Sequence, residues 1–270
     1  MGWLKEMFGT DKPIIGLLHL KALPGDPFYK SSDTMESLIT QAKADLIALQ
    51  TGGVDGVLIT NEFSMPYEKK VSSVTIAAMA YVIGALHGMF TVPYGVEVIY
   101  DSDASIEICA ATDARFTRCV FTGAYVGDLG LIDRDIAKTL RLRRALDMNE
   151  LKMFYFVNSE GEVYLNDRDE AEITKTMIFN CRPECFVVAG GMAGISPKNT
   201  LLSKVKAAAK DIPVFCGTGC RVDTIEDILK IADGAFVGTT FKKDEKFEER
   251  IDLERVLTFM EKAKQYQEVK

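Results

Sequence analysis

Eight short apolar runs alternate with eight stretches whose apolar residues recur every three or four positions, and this alternation limits the available folds more than any other feature of the chain. The runs cover 13–20, 54–60, 94–99, 116–120, 152–157, 185–190, 213–217 and 235–239. They are short and often β-branched, as expected of strands buried on both faces of a parallel sheet. Helices are predicted near 35–51, 72–90, 102–112, 133–147, 167–181, 198–210, 224–232 and 248–266. In the first, Leu38, Ala42, Asp45/Leu46 and Leu49 mark one face. Strict strand–helix alternation predicts a parallel sheet covered by helices, and eight units favour closure into a single (β/α)8 TIM barrel. The 270 residues suit one such barrel, typically about 250 residues long. Residues 1–12 read as an N-terminal extension, a short helix plugging or flanking the barrel bottom, and 13–270 as the barrel domain.

A weak internal echo supports this order. Gly53-Val-Asp-Gly-Val, Ala111-Thr-Asp-Ala-Arg-Phe and Ile231-Ala-Asp-Gly-Ala-Phe each join a helix end to the next strand. Asp55, Asp113 and Asp233 therefore fall at the bottom face, where an aspartate accepts backbone N–H bonds in a turn. The net charge of −7 argues against a nucleic-acid surface, which requires a concentrated basic face. The first residues lack the apolar core and cleavage site of a secretory signal. The apolar stretch 75–90 is too short to span a bilayer and contains His87. A cytoplasmic location is expected. The six cysteines do not form a disulfide scaffold. The pairs Cys181/Cys185 and Cys216/Cys220 invite a zinc reading, but the first lies at the strands' N-terminal end and Cys220 at the opposite face. Buried thiols are expected instead.

The seventh and eighth strands end in Gly217-Thr-Gly219 and Gly238-Thr-Thr240. In a barrel these are the usual phosphate turns, where glycine lets backbone N–H groups approach an anion. Phosphate-binding candidates are Gly217, Thr218, Gly219, Arg221, Gly238, Thr239 and Thr240, with Lys242 as a further cation. Glycines that merely make tight turns are the structural alternative. A third turn, Gly190-Gly-Met-Ala-Gly194, places Gly190 and Gly191 against the rest of a phosphorylated ligand.

His19 ends the first strand, where a histidine suits general acid–base work, metal ligation or a structural role. Its leading partner is Glu62. Asn61, Glu97, Tyr100, Asp101, Arg118, Asp128, Asn158 and Glu160 are the other rim groups. Glu97 and Arg118 lie inside apolar strands, where an unpaired charge is costly, and are expected to pair across neighbouring strands. His19, Glu62 and Asp101 are the catalytic candidates; Asn61, Glu97, Arg118 and Asn158 join the substrate-binding set. Glu62, Glu97 and Asp101 form a hard oxygen set that suits Mg²⁺, the one cofactor suggested. A small phosphorylated ligand is the expected partner. The rim loops suit a homo-oligomer, although no segment requires one.

The run Ile14-Ile-Gly-Leu-Leu-His-Leu-Lys-Ala-Leu-Pro-Gly-Asp-Pro-Phe-Tyr29 resembles the opening signature of the BtpA/SgcQ family. The similarity continues through Gly52-Gly-Val-Asp-Gly-Val-Leu-Ile, Asn61-Glu-Phe with Pro66, Phe116-Thr-Arg-Cys-Val and the two terminal glycine turns. It implies a barrel related to phosphate-binding barrels; some family names point to photosystem I biogenesis and others to nucleotide hydrolysis. This chain has Asn61-Glu62-Phe63 where the family usually has Glu-Asn-Phe. It has Glu97 and Tyr100-Asp101-Ser102 at strand three, Asn158-Ser159 at strand five and Met192-Ala193-Gly194 at strand six, each replacing a usual polar pattern. The expectation is an enzyme acting on a sugar phosphate or nucleotide, by hydrolase or isomerase/aldolase chemistry, or else a ligand-sensing or assembly factor that keeps only the phosphate pocket.

Overall fold

In the computed structural model, residues 2–191 and 194–267 are described. Eight parallel strands close a barrel: β1 (Ile14–His19), β2 (Gly56–Thr60), β3 (Tyr94–Glu97), β4 (Phe116–Cys119), β7 (Lys152–Phe156), β9 (Cys185–Val188), β10 (Val214–Cys216) and β11 (Gly234–Val237). Around them lie α2 (Met35–Thr51), α3 (Ser73–Leu86), α4 (Ser102–Thr112), α5 (Ile136–Ala145), α6 (Glu170–Cys181), α7 (Asn199–Ala209), α8 (Ile225–Leu229) and α9 (Leu253–Gln267). Most elements are a few residues shorter than the hydrophobic pattern indicated. Among the described residues, no helix is long and apolar enough to cross a membrane.

Side chains alternate across each strand, so the barrel sorts them into two cores. Ile14 and Leu18 of β1 pack outward under the helices, whereas Ile15 and Leu17 point inward with Leu58, Phe154, Val187, Phe215 and Phe236. The interior is largely aromatic; Phe154 lies 5.1 Å from Phe215 and 5.5 Å from Phe236, edge to face. Helix α1 (Gly2–Phe8) buries Leu4 and Phe8 in this same cluster. Phe8 meets Phe116 at 5.5 Å, at the start of β4, so α1 closes the bottom. Two bottom-face aspartates hold strand starts: Asp55 accepts from the Ile14 N–H at 2.8 Å and Asp233 from the Val214 N–H at 2.8 Å. Asp113 instead ends α4 in a left-handed conformation. All six cysteines carry free thiols.

The interior tolerates little added volume. A Cβ on Gly95 would stand 2.5 Å from the Phe116 carbonyl oxygen and 2.4 Å from its ring. Gly95→Ala is expected to destabilise the fold by about 1–3 kcal/mol, the usual range for overpacking. A urea midpoint equal to that of the parent chain would contradict this account of the layer.

The hydrophobic pattern gave no sign of one element. Strands β5 (Ala124–Gly127), β6 (Gly130–Asp133) and β8 (Glu162–Tyr164) form a separate antiparallel sheet in the order β6-β5-β8. The segment expected to be a loop after the fourth barrel strand is therefore a hairpin, and Asp128 lies in its turn. Tyr125 is buried beneath the sheet, while Val126, Leu131 and Val163 are exposed across the three strands.

Candidate functional site

The site consists of the uppermost inward positions of the barrel strands. Stepping by two from Leu17, Gly95, Phe116 and Phe215 reaches His19, Glu97, Arg118 and Gly217. The Arg118 guanidinium donates to Glu97 Oε2 from Nε at 2.9 Å and from Nη2 at 2.7 Å. It also donates from Nη1 to the Gly217 carbonyl at 3.2 Å. Phe156 and Phe236 flank it at 5.1 and 4.6 Å. The expected cross-strand pair is therefore present, and Gly217 and Gly238 make room for what faces them. A Cβ on Gly238 would lie 3.0 Å from His19 Nε2, so this glycine is needed to accommodate the imidazole.

His19 Nε2 lies 3.6 Å from Glu62 Oε2, with the two side chains 4% and 12% exposed. Neither imidazole nitrogen has a hydrogen-bond partner among the described residues. Burial, with Lys242 and Arg118 nearby, pulls the His19 pKa well below its usual value, so the ring is neutral. Burial raises Glu62 and Glu97, opposed in each case by Arg118. Glu160, in the loop between β7 and β8, is pushed up to about 8, chiefly by burial. Lys242 is pulled down to about 8 by burial; its ammonium donates to the Phe247 carbonyl and lies 4.8 Å from the rings of both Phe63 and Phe247.

Two adjoining cavities open here. The larger, ≈ 480 Å³, is bordered by Glu62, Tyr67, Glu97, Tyr100, Glu160 and Phe247, with Arg118 and Thr239 among its other walls. The smaller, ≈ 50 Å³, lies between the glycine turns and is bordered by His19, Glu62, Arg118, Glu160, Gly219 and Thr239. Among the described residues, the backbone N–H groups of Gly219, Cys220, Gly238, Thr239 and Thr240 find no acceptor.

Several candidates face elsewhere. Asp101 caps α4: its Oδ1 accepts from Ala104 at 3.1 Å and its Oδ2 from Val71 at 2.9 Å, so both oxygens bind backbone. It borders neither cavity. The set Glu62, Glu97 and Asp101 is thus not assembled, and no group of three or more His, Cys, Asp or Glu side chains among the described residues is placed to hold Mg²⁺. Asn61 accepts from the Ile99 N–H at 2.8 Å, fastening the ends of β2 and β3 together. Asn158 exchanges two bonds with the Ala189 backbone at 2.9 and 3.0 Å. With Gly190 and Gly191 it borders a different opening of ≈ 740 Å³; Met192 and Ala193 of the same turn lie outside the described residues.

The phosphate candidates also divide. The Thr218 hydroxyl donates to the Ile195 carbonyl at 3.0 Å and accepts from Gly190 N–H at 2.7 Å. The Thr240 hydroxyl donates to the Cys220 carbonyl at 2.8 Å. Arg221 borders neither cavity and pairs at 2.7 Å with Glu245, which is a wall residue of the larger one. Gly219 has φ +64°, and a Cβ there would meet Ser196 N at 2.0 Å. Its lack of a side chain therefore admits the 195–196 backbone before it admits any ligand. Thr239 is left with a side chain facing both cavities. Tyr100, expected at the rim, is a wall residue, whereas Tyr67 and Phe247 were not anticipated. They come from loops whose approach to the rim has no counterpart in hydrophobic spacing, and only the aromatic residue type hints at a binding wall.

Among solved structures, the chain resembles (S)-3-O-geranylgeranylglyceryl phosphate synthase from Thermoplasma acidophilum, in complex with sn-glycerol-1-phosphate, with a TM-score of 0.61, 15% identity and 97% of each chain covered. That likeness establishes the barrel fold. Photosystem I biogenesis protein BtpA of Synechocystis sp. is 29% identical over 96% of this chain and 90% of its own length. The sgc region protein SgcQ of Escherichia coli K12 is 43% identical over 97% of this chain and 98% of its own length. With the BtpA family model matching residues 10–265 as well, the chain belongs to the BtpA family.

Proposed function

We propose that this rim site catalyses proton transfer at the carbon beside the carbonyl of a small sugar phosphate, in the manner of an isomerase or aldolase. The observation that carries the reading is the buried, neutral His19, unpartnered at both nitrogens, beside Glu62 and bordering a small cavity flanked by unused backbone N–H groups. Phosphate oxygens would accept from the Gly219, Cys220, Gly238, Thr239 and Thr240 amides, as anions do at glycine turns. The carbon skeleton would extend into the larger cavity, where its hydroxyls meet Glu97 and Glu160 and its C–H faces meet Tyr67 and Phe247. Glu62, whose proton affinity is raised by burial, suits the task of abstracting a proton from carbon. Neutral His19 would donate a proton to the adjacent oxygen and later retrieve it. The likeness to a barrel solved with sn-glycerol-1-phosphate supports a phosphorylated ligand. The carboxylates that border the cavity are not placed, three together, to share one metal ion among the described residues, which favours proton transfer over Mg²⁺-assisted hydrolysis.

Thr239→Asp tests the phosphate seat without disturbing the 195–196 loop that Gly219 accommodates. Two like charges about 4 Å apart repel by roughly 4 kcal/mol at an effective dielectric of 20. Affinity for the sugar phosphates that bind the parent is therefore expected to fall about 100-fold or more by calorimetry. Unchanged affinity would remove the phosphate from these turns. Tight binding with no turnover across the panel would assign the site to ligand sensing.

A further inference from the structure

We propose that the ligand of this site carries a protonated amine as well as a phosphate, with the ammonium seated between Glu62 and Glu160 among the rings of Tyr67, Tyr100 and Phe247. The position of the phosphate rests on the reading above; that of the amine follows from the charge and shape of the larger cavity. Four carboxylates, those of Glu62, Glu97, Glu160 and Glu245, border this space; Glu245 is paired with Arg221 and Arg255, Glu97 with Arg118, and Lys242 is the other nearby cation. Arg118 directs three of its five N–H donors to Glu97 Oε2 and the Gly217 carbonyl. Lys242 is held by the Phe247 carbonyl between two aromatic rings and makes no ion pair within 4.0 Å among the described residues. Among the described residues no Lys or Arg lies within 4.0 Å of the Glu62 or Glu160 carboxylate, and the Glu160 side chain has no hydrogen-bond partner.

His19 gives independent reason to expect a ligand here. Its side chain is 4% exposed, it borders the small cavity together with Glu62 and Glu160, and neither nitrogen is satisfied. A neutral imidazole offers an acceptor and does not repel a cation. A hydroxyl in the same place would supply a hydrogen bond but leave the negative charge unbalanced. An ammonium supplies three donors and a full positive charge, and nearby aromatic faces attract it further.

Matched pairs of ω-aminoalkyl and ω-hydroxyalkyl phosphates, with spacers of about two to six carbons, test the proposal by calorimetry on the full chain. At the best spacer length the amine is expected to bind at least about tenfold more tightly than its hydroxyl twin, the difference made by one favourable ion pair. Glu160→Gln, close to isosteric, is expected to abolish that preference, so that the amine and its hydroxyl twin bind equally. Amine affinity is also expected to rise about tenfold between pH 7 and pH 9, as the ionised, binding-competent fraction of Glu160 grows through about 8. An alkylammonium with a lysine-like pKa of about 10.4 keeps its proton over that range. Equal affinities within every pair would overturn the proposal and leave the phosphate seat standing. An amine preference shown equally by unphosphorylated aminoalkanols and lost in Glu160→Gln would uphold the amine seat and remove the phosphate.

Discussion

His19→Ala is expected to lower kcat/KM for a sugar phosphate by about 10²–10⁴-fold, the range removed with one general acid–base group. Substrate affinity should remain largely intact, because the phosphate oxygens and hydroxyls meet backbone amides and carboxylates. A loss confined to KM would mean that His19 only binds, and full activity would remove it from the mechanism. The pH profile of the parent gives an independent readout. Glu62 must be ionised to act as a base, and burial raises its folded-state pKa. Activity should therefore fall on the acidic side at a pH above the usual glutamate value of about 4.3. Burial keeps His19 neutral down to a pH well below its ordinary value, so the imidazole should add no acidic limb near pH 6.5.

The second large effect concerns stability. Arg118→Met is expected to destabilise the barrel by about 3–5 kcal/mol, since it leaves Glu97 without its charge partner at 4% exposure. The long methionine side chain keeps much of the packing against Phe156 and Phe236, so most of the loss should reflect the stranded carboxylate. The double substitution Arg118→Met/Glu97→Leu should recover most of that loss, as buried pairs replaced by apolar groups of similar volume often do. Urea unfolding of the two single variants and the double variant closes the cycle. A single-variant loss below about 1 kcal/mol would show that Glu97 is already uncharged in the folded chain.

The pattern of candidate residues shows how far sequence can guide such a site. His19, Glu97 and Arg118 were legible because each ends or lies within an apolar strand, and the period of two fixes which wall it joins. Asp101 and Arg221 were misplaced because they lie just beyond strand ends, where the backbone has left that period. There Asp101 turned to cap α4 and Arg221 turned to Glu245. Thr218 and Thr240 sit where phosphate turns suggest donors, yet both hydroxyls are engaged by backbone carbonyls. The sheet formed by β5, β6 and β8 was illegible because its strands have three or four residues, and β8 comes from a different loop than the β5–β6 hairpin.

The sequence by itself determined the barrel, its eight strands, the pairing expected of Glu97 and Arg118 and the family. Those properties depend on local periodicity and on motifs spread along the whole chain. Only the tertiary structure decided that, among the described residues, His19 has no hydrogen-bond partner, that Arg118 is already paired with Glu97 and that Glu160 faces a cavity without a partner. Such facts depend on which atoms from distant loops reach the same few ångströms. Charge balance and hydrogen-bond satisfaction are sums over those atoms, and spacing along the chain does not encode them.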